Sequence, residues 1–539
     1  METVCAALCQ RVRVRNRRRL QKKGRIRLIG GILPPLSVCC RGGSDVHNGV
    51  ICEEYKLKRY ERLADQLSEL IKRGDLPPGA RIPSVRAACK AWGVSPATVF
   101  RAYYLLENRG MITARARSGY FVSPASRELP RQRPGTPMGA DPKTVNISDL
   151  VFEVLKTIRQ PATVPLGSAF LSPELFPMAR VGKSCATVNR STDLASMIDG
   201  LPPGHEGLRQ QISLRYLMAG MTVPVDEIII TSGALEALTL SAQLLAAPGD
   251  VIVIEKPTFY AALQAIERLK LNVVEIPVDP VEGHDLNALA QALQQHPVRA
   301  CWFMTSFHNP TGATLNDSRK LALVDLLARH DVPLIEDDVY NELHFGPDPV
   351  RPAKFFDQKG LVIHCGSFAK CLAPGYRIGW AAAGRFAGGL ERAKWMTTLS
   401  ASMPAQRAIA DYLEHGGYER FLHKLRRELA LQQSQMLDAI SRYFPANTMA
   451  TRSDGGYFTW VALPDHVDSI HLFQAALNSG ISIAPGPIFS ADGAFRHCVR
   501  LNYGYPWSAR LDKAVATLGA LCADESRCSA RLAGPVQPA

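Results

Sequence analysis

From about Asn146 to Leu521, short apolar runs alternate with longer stretches in which apolar residues recur every three or four positions. Six of the runs, Glu227–Ile230, Val251–Glu255, Asn272–Ile276, Cys301–Thr305, Val332–Glu336 and Leu361–Cys365, are continuously apolar over most of their length. A strand buried on both faces has that pattern, and amphipathic helices between such strands cover a largely parallel sheet. The pattern predicts an α/β domain over residues 149–525, a large mostly parallel part followed by a smaller α+β C-terminal part, with no internal repeat.

Upstream the pattern changes. Tyr60–Lys72 places Leu63, Leu67, Leu70 and Ile71 at helical spacing, and Pro77-Pro78-Gly79 breaks it. Ser84 suits the N-cap of a helix reaching about Ala91, and Gly93 ends it. Ser95 caps the next helix, with Pro96 in its first turn, where a missing N–H costs nothing, and with Val99, Tyr103 and Leu106 turned inward. Two short helices around a glycine turn form a helix-turn-helix. Arg115–Val122 then reads as a hairpin with Arg115 and Arg117 at its turn, a wing. These features bound a unit over 51–123. Residues 124–148 hold five prolines, Pro124, Pro130, Pro134, Pro137 and Pro142, and read as an extended linker. Residues 1–50 and 526–539 are expected to be a disordered extension and a disordered tail.

Charge sharpens this division. Of the 539 residues, the first 50 carry 11 Lys/Arg against 2 Asp/Glu, and residues 51–125 carry 13 against 7, so the remainder of the net +14 is close to neutral. A basic N-terminal quarter points to a polyanionic partner, double-stranded DNA first, although for residues 1–50 alone a solvated basic tail is the simpler reading. The Arg-rich start from Arg11 to Arg27 lacks the apolar stretch of a secretory signal; it has some likeness to a transit peptide, and a disordered segment or an early start codon is the simpler account. The 13 cysteines include no Cys-x-x-Cys pair, which argues against a disulfide framework and a zinc site and fits a reducing cytoplasm. No apolar run approaches the ~20 residues of a membrane helix, so no membrane partner is expected.

The series GDLPPGARIPSVRAACKAWGVSPATVFRAYYLLENRGMITARARSGYFV closely resembles the DNA-binding domain of the GntR family of bacterial regulators. The resemblance implies that Arg86, Ser95, Ala97, Thr98 and the wing around Arg115, Arg117 and Gly119 face DNA. Pro96 stands where that family often carries Arg, which removes one candidate for reading guanine. The competing reading, a helical interaction module whose arginines only solvate a surface, does not account for caps, turn and basic wing in this order.

The larger domain carries the parts of a pyridoxal 5'-phosphate site. Such a site needs a Lys for the Schiff base, an acid for the pyridine nitrogen and a phosphate cradle. Lys370, in Ser-Phe-Ala-Lys after a predicted strand, supplies the first as the catalytic residue. Ser367 and Arg377 are placed to hold the phosphate. So are the backbone amides of Ser232, Gly233 and Ala234 between a strand and a helix. Asp337 at a strand end suits the pyridine nitrogen, Tyr340 and Asn309 the 3-oxygen, and Phe259 the ring face. Singly, each has a duller reading: a loop acid, a turn, a core ring, a surface cation. In this order they resemble fold type I aminotransferases across roughly residues 150–520. The stretches PPGHEGLR and CVRLNYG belong to the same resemblance. It implies that Arg500 binds an amino acid's α-carboxylate, against the alternative of a structural Arg. No metal site is expected. Ser-x-x-Lys also occurs in penicillin-binding enzymes, but their Lys-Thr-Gly and Ser-Asp-Asn are absent here. Gly182-Lys183-Ser184 lacks a P-loop's earlier glycine, since Pro177 holds that position, and no Gly-rich dinucleotide fingerprint opens a helix.

The two domains in this order resemble the MocR type of GntR regulators. That implies a cytoplasmic homodimer that senses an amino acid, an amine or pyridoxal phosphate itself through aldimine chemistry. Asp199 stands where relatives often carry a Tyr that reaches the partner's phosphate. The alternatives are an active aminotransferase with a DNA-binding appendage and a scaffold that has lost both activities, which the intact motifs disfavour.

Overall fold

The computed structural model describes residues 59–77, 79–108, 111–115, 119–122, 142–157, 163–190 and 198–532. The expected N-terminal extension, most of the linker, Arg117 and residues 533–539 lie outside them, as does the side chain of Arg115.

Three helices and a hairpin form the basic unit: α1 (Arg59–Lys72), α2 (Val85–Trp92), α3 (Pro96–Asn108), β1 (Ile112–Arg115) and β2 (Gly119–Val122). Leu63, Ala64 and Leu67 of α1 and Val99, Ala102, Tyr103 and Leu106 of α3 are buried together, one stripe from each helix. Ser84 Oγ accepts from the Ala87 N–H, and Gly93 ends α2 in the left-handed region at φ 61°. Ser95 Oγ accepts from the Thr98 N–H at 3.2 Å and so caps α3. The Tyr103 hydroxyl donates to Pro83 O at 2.7 Å, tying α3 to the segment before α2. That segment also bonds β2 through Ile82 N to Tyr120 O and Val122 N to Ala80 O, a short third rung beside the wing.

The large domain is built on strands β3 (Lys143–Thr144), β4 (Val164–Pro165), β5 (Ile228–Thr231), β6 (Val251–Lys256), β7 (Asn272–Asp279), β8 (Gly283–His284), β9 (Val298–Phe303), β10 (Leu334–Asp337), β11 (Val362–Ser367) and β12 (Gly379–Ala382). The main sheet runs β3-β7-β6-β9-β10-β11-β12-β5, with β8 on β7. From β7 to β11 neighbours pair in parallel; β12 runs against β11 and β5. The six predicted apolar runs are β5, β6, β7, β9, β10 and β11, each within a few residues of the expected bounds. Alternate residues serve two cores: Ile252, Ile254 and Trp302 one face, Val251, Val253 and Phe303 the other. This explains why the strands read as continuously apolar.

A smaller antiparallel sheet, β13 (Met449–Ala450), β14 (Phe458–Ala462), β16 (Ala484–Pro485) and β17 (Cys498–Asn502), follows, in the order β13-β14-β17-β16. β15 (Ile481–Ser482) instead pairs with β4. Two boundaries differ from expectation. The end of the linker is already structured: β3 pairs with β7, and a helix begins at Ser148. The last helix, Ala509–Leu532, continues through residues 526–532, which the sequence assigned to the tail. Among the described residues no helix is long and apolar enough to cross a membrane.

Candidate functional site

Strand direction places the site. β5, β10 and β11 point their carboxyl ends to one edge of the sheet, where open α/β sheets bind ligands. β12 runs the other way, so its beginning lies at the same edge. The register makes the row explicit: Thr231 pairs with Gly379, and Gly379 with Ser367. The turn Ser232-Gly233, the Ser367–Lys370 loop and Arg377 are thereby neighbours, although 145 residues separate Ser232 from Arg377 in the chain.

Gly233 is positioned under a guanidinium. A Cβ there would lie 2.6 Å from Arg377 Nη2, and its backbone has φ 93°, so both space and conformation call for glycine. Ala234 opens the helix Ala234–Leu245, whose first amides face the same place. The Ser232 amide donates to Glu236 Oε2 at 2.6 Å. Ser367 Oγ accepts from Ala369 N and donates to Ile378 O, which fixes the loop.

Lys370 Nζ donates to Ala169 O at 2.8 Å and lies 4.8 Å from the centre of the Phe170 ring. Burial, then Arg500 and Arg377, hold its amine down at about 7 against the opposing pull of Asp337. Asp337, at the end of β10, is buried with no hydrogen-bond partner on Oδ1. Burial first, then the charges of Glu255 and Asp338, push its carboxyl up to about 7. Asn309 is fully buried, 3.4 Å from the Tyr340 hydroxyl through Nδ2. Its Oδ1 accepts from Arg500 Nη1 at 3.0 Å. Arg500 Nη2 donates to Gly167 O at 2.7 Å, while Nε is buried without a partner. The guanidinium sits 4.3 Å from the Phe458 ring centre and 5.3 Å from that of Phe489. Among the described residues no carboxylate pairs with Arg500. Phe259 is half-buried against Tyr260, ring centres 4.6 Å apart, and joins the site through that neighbour.

These residues fit pyridoxal phosphate. A buried carboxylate oxygen awaits a donor, a glycine cradle lies under an arginine, and a lysine is poised near neutrality. Three parts were missed by sequence reasoning. The segment Gly167–Phe170 borders Lys370 and Arg500, and Asn502 Nδ2 holds it by donating to Ser168 O and Phe170 O. Glu255 acts on Asp337 from β6; His308 and His284 outweigh its burial and hold it down at about 2. Glu236 bonds Lys394 at 2.7 Å beside the phosphate cradle. Gly167–Phe170 meets Lys370, Glu255 meets Asp337 and Glu236 meets Lys394 across long stretches of chain, although Glu236 also accepts the Ser232 amide four residues away. Asp199 is exposed.

On the basic unit, Arg86, Ser95 and Ala97 are exposed and Thr98 is half-buried. Arg86 lies in the first turn of α2, and Ser95, Ala97 and Thr98 lie at the start of α3. The Ser95 and Thr98 hydroxyls bond each other at 2.9 Å. Gly119 starts β2 at φ 99°, and the Arg81 guanidinium packs over it. Arg81 was not singled out from sequence; only the pairing of its segment with the wing reveals it.

Comparison with known proteins gives the same division. Residues 59–122 match the family of bacterial regulatory proteins, gntR family, and residues 196–517 match aminotransferase class I and II. An uncharacterized HTH-type transcriptional regulator of Escherichia coli, YdcR, is 46% identical over 86% of this chain and 99% of its own. Aromatic-amino-acid aminotransferase 1 of Thermococcus litoralis is 30% identical over 70% of this chain and 92% of its own. The kynurenine aminotransferase of Pyrococcus horikoshii, solved with PMP, superposes with a TM-score of 0.65 at 30% identity, covering 70% of this chain and 94% of that one.

Proposed function

The chain belongs to the MocR-type regulators, which join a gntR-family DNA-binding domain to an aminotransferase class I and II domain, and from that membership we propose how this one senses its effector. It is a DNA-binding transcription regulator with pyridoxal phosphate as cofactor. The bound cofactor supplies a reactive aldehyde and an electron-poor ring. Lys370, with an amine near half-deprotonated at neutral pH, is the residue that holds it covalently. Asp337 accepts the ring nitrogen's proton. Arg377 and the amides of Gly233 and Ala234, with Ser367 fixing the loop, hold the phosphate. Asn309 and Tyr340 bond the 3-oxygen, and Phe259 covers the ring.

The single observation that carries the choice of effector is Arg500, a buried guanidinium with an unpartnered Nε and no carboxylate. A buried cation without a counter-charge is costly, so the site is built for an anionic ligand group. The effector is therefore an amino acid, its carboxylate on Arg500 and its amine directed to the cofactor at Lys370. In the proposed assembly, two chains pair through the aminotransferase-like domain and present two heads to DNA. Each head docks α2, α3 and the wing, with Arg86, Ser95, Ala97, Thr98, Arg115, Arg117 and Gly119 at the contact.

The test is a gel shift on the protein's own upstream region with a panel of amino acids, comparing unmodified protein with Arg500→Ala. One amino acid should alter the shift of the unmodified protein and not of the variant. An equal response from both would reject the assignment. The complete site also favours a second reading, amino-group transfer with turnover; steady release of a 2-oxo acid from the effector would establish it.

A further inference from the structure

The phosphate cradle has an anion of the protein's own beside it. Glu236 stands in the first turn of the helix Ala234–Leu245, the helix whose opening amides face the cradle. Its Oε2 accepts the Ser232 amide at 2.6 Å, and so anchors the turn one residue before Gly233. A helix N-terminus favours negative charge, but two anions at the same helix end repel each other. A carboxylate in this place therefore opposes the binding of a phosphate unless a cation cancels it.

That cation is Lys394, near the end of the helix Ala387–Met396. Its Nζ donates to Glu236 Oε2 at 2.7 Å and to Thr398 Oγ1 at 2.6 Å. The Thr398 hydroxyl donates in turn to Glu236 Oε1. Each oxygen of Glu236 thus has a donor, and the ammonium is buried, at 1% exposure, so water screens the pair weakly. Burial pushes the Glu236 carboxyl up, but Lys394, the Ser232 amide and Thr398 outweigh that and hold it below its usual range, which keeps it ionised. Arg377 takes the other side of the turn: its Nη2 lies 2.6 Å from where a Cβ of Gly233 would be. A buried ion pair is by itself a weak source of stability, whereas cancelling a charge beside an anion site acts directly on binding.

We propose that Lys394 is a positioning residue for the cofactor's phosphate: it neutralises Glu236, so that this carboxylate can anchor the Ser232 turn without repelling the phosphate. The inference rests on the reading of the cradle at Gly233, Ala234 and Arg377. Two cations divide the work there. Arg377 serves the phosphate itself, and Lys394 serves the carboxylate that shapes the turn.

Pyridoxal phosphate and pyridoxal share ring and aldehyde and differ in the phosphate, so the ratio of their affinities isolates the cradle. Equilibrium dialysis of the full-length protein with each ligand measures it. Lys394→Met should lower the ratio by at least about tenfold, because the buried carboxylate is left uncancelled; general damage to the fold would weaken both ligands alike. Adding Glu236→Gln to Lys394→Met should bring the ratio back to within about threefold of the unmodified protein, since Gln still accepts the Ser232 amide and no charge remains. Glu236→Gln alone should not lower the ratio, and this variant carries the test even where Lys394→Met fails to fold. An unchanged ratio in Lys394→Met, a double variant as impaired as the single one, or a fall in Glu236→Gln would each overturn the proposal. Arg377→Ala separates the two readings. A ratio that falls in Arg377→Ala but not in Lys394→Met rejects the role of Lys394 alone; a ratio that falls in neither rejects the cradle as well.

Discussion

Lys370 and Asp337 have protonation states set by burial, and each leads to a measurable pH dependence. The Lys370 amine is held down at about 7, so its neutral, nucleophilic form becomes available far below the ordinary lysine range. The rate at which cofactor-free protein takes up pyridoxal phosphate should climb with pH through about 7 and then level off. Stopped-flow absorbance would check this; a rise continuing to about pH 10, as for a solvated lysine, would contradict it. Asp337 is pushed up to about 7, which means the folded, cofactor-free chain favours its neutral form. Its unfolded state binds fewer protons between about pH 4 and about 7, so stability on this account falls as pH rises through that window. Asp337→Asn should remove that fall and, without cofactor, stabilise the protein at pH 8 by on the order of 2 kcal/mol relative to pH 5. With cofactor the same substitution should weaken binding, since the ring nitrogen loses its acceptor. Melting curves at both pH values, with and without pyridoxal phosphate, separate the two effects.

Caps and turns set the next scale. Ser84 accepts the Ala87 N–H at the start of α2, so Ser84→Ala should lower the stability of the DNA-binding unit by about 1 kcal/mol. The phosphate cradle is more demanding. Gly233→Ala would place a methyl 2.6 Å from Arg377 Nη2 on a backbone at φ 93°, so it should reduce cofactor affinity by at least about tenfold. The domain should stay folded, because Gly233 lies at a loop edge outside the apolar strands. Equilibrium dialysis with pyridoxal phosphate measures the loss. Both elements were legible in the sequence, since a cap and a strand–turn–helix glycine involve residues only a few positions apart. Arg81 over Gly119 was not, because the contact depends on the segment around Ile82 bonding to β2.

At the scale of the whole molecule, the head buries its own core of Leu63, Leu67, Val99, Tyr103 and Leu106, with none of the large domain's residues in that cluster. Replacing Thr98 and Arg117 together by Ala should therefore abolish sequence-specific DNA binding and leave the cofactor's absorbance unchanged. Affinity of the unmodified protein should fall steeply with salt, and Arg86→Ala should reduce the slope of that dependence by about 1. Gel shifts across a salt series test both, and a doubly substituted protein that binds as tightly as the unmodified one would contradict the assignment of the face. Sedimentation of the full chain at micromolar concentration should show a dimer; monomer alone would count against the paired-head arrangement.

By itself the sequence determined the helix caps, the buried strands, the order of the cofactor motifs and the basic charge of the first quarter, because each is a local pattern of residue types. Tertiary structure decided the rest. It brought Gly167–Phe170 against Lys370 from about 200 residues away, enclosed Arg500 among aromatic rings with no carboxylate paired to it among the described residues, and set Glu255 behind Asp337. It carried the last helix to Leu532, past the expected end of the domain. The physical reason is that burial, counter-charge and an unpaired oxygen depend on which distant segments strand order and register make adjacent. Here β12, running against both of its neighbours, placed Arg377 at the edge where the parallel strands end.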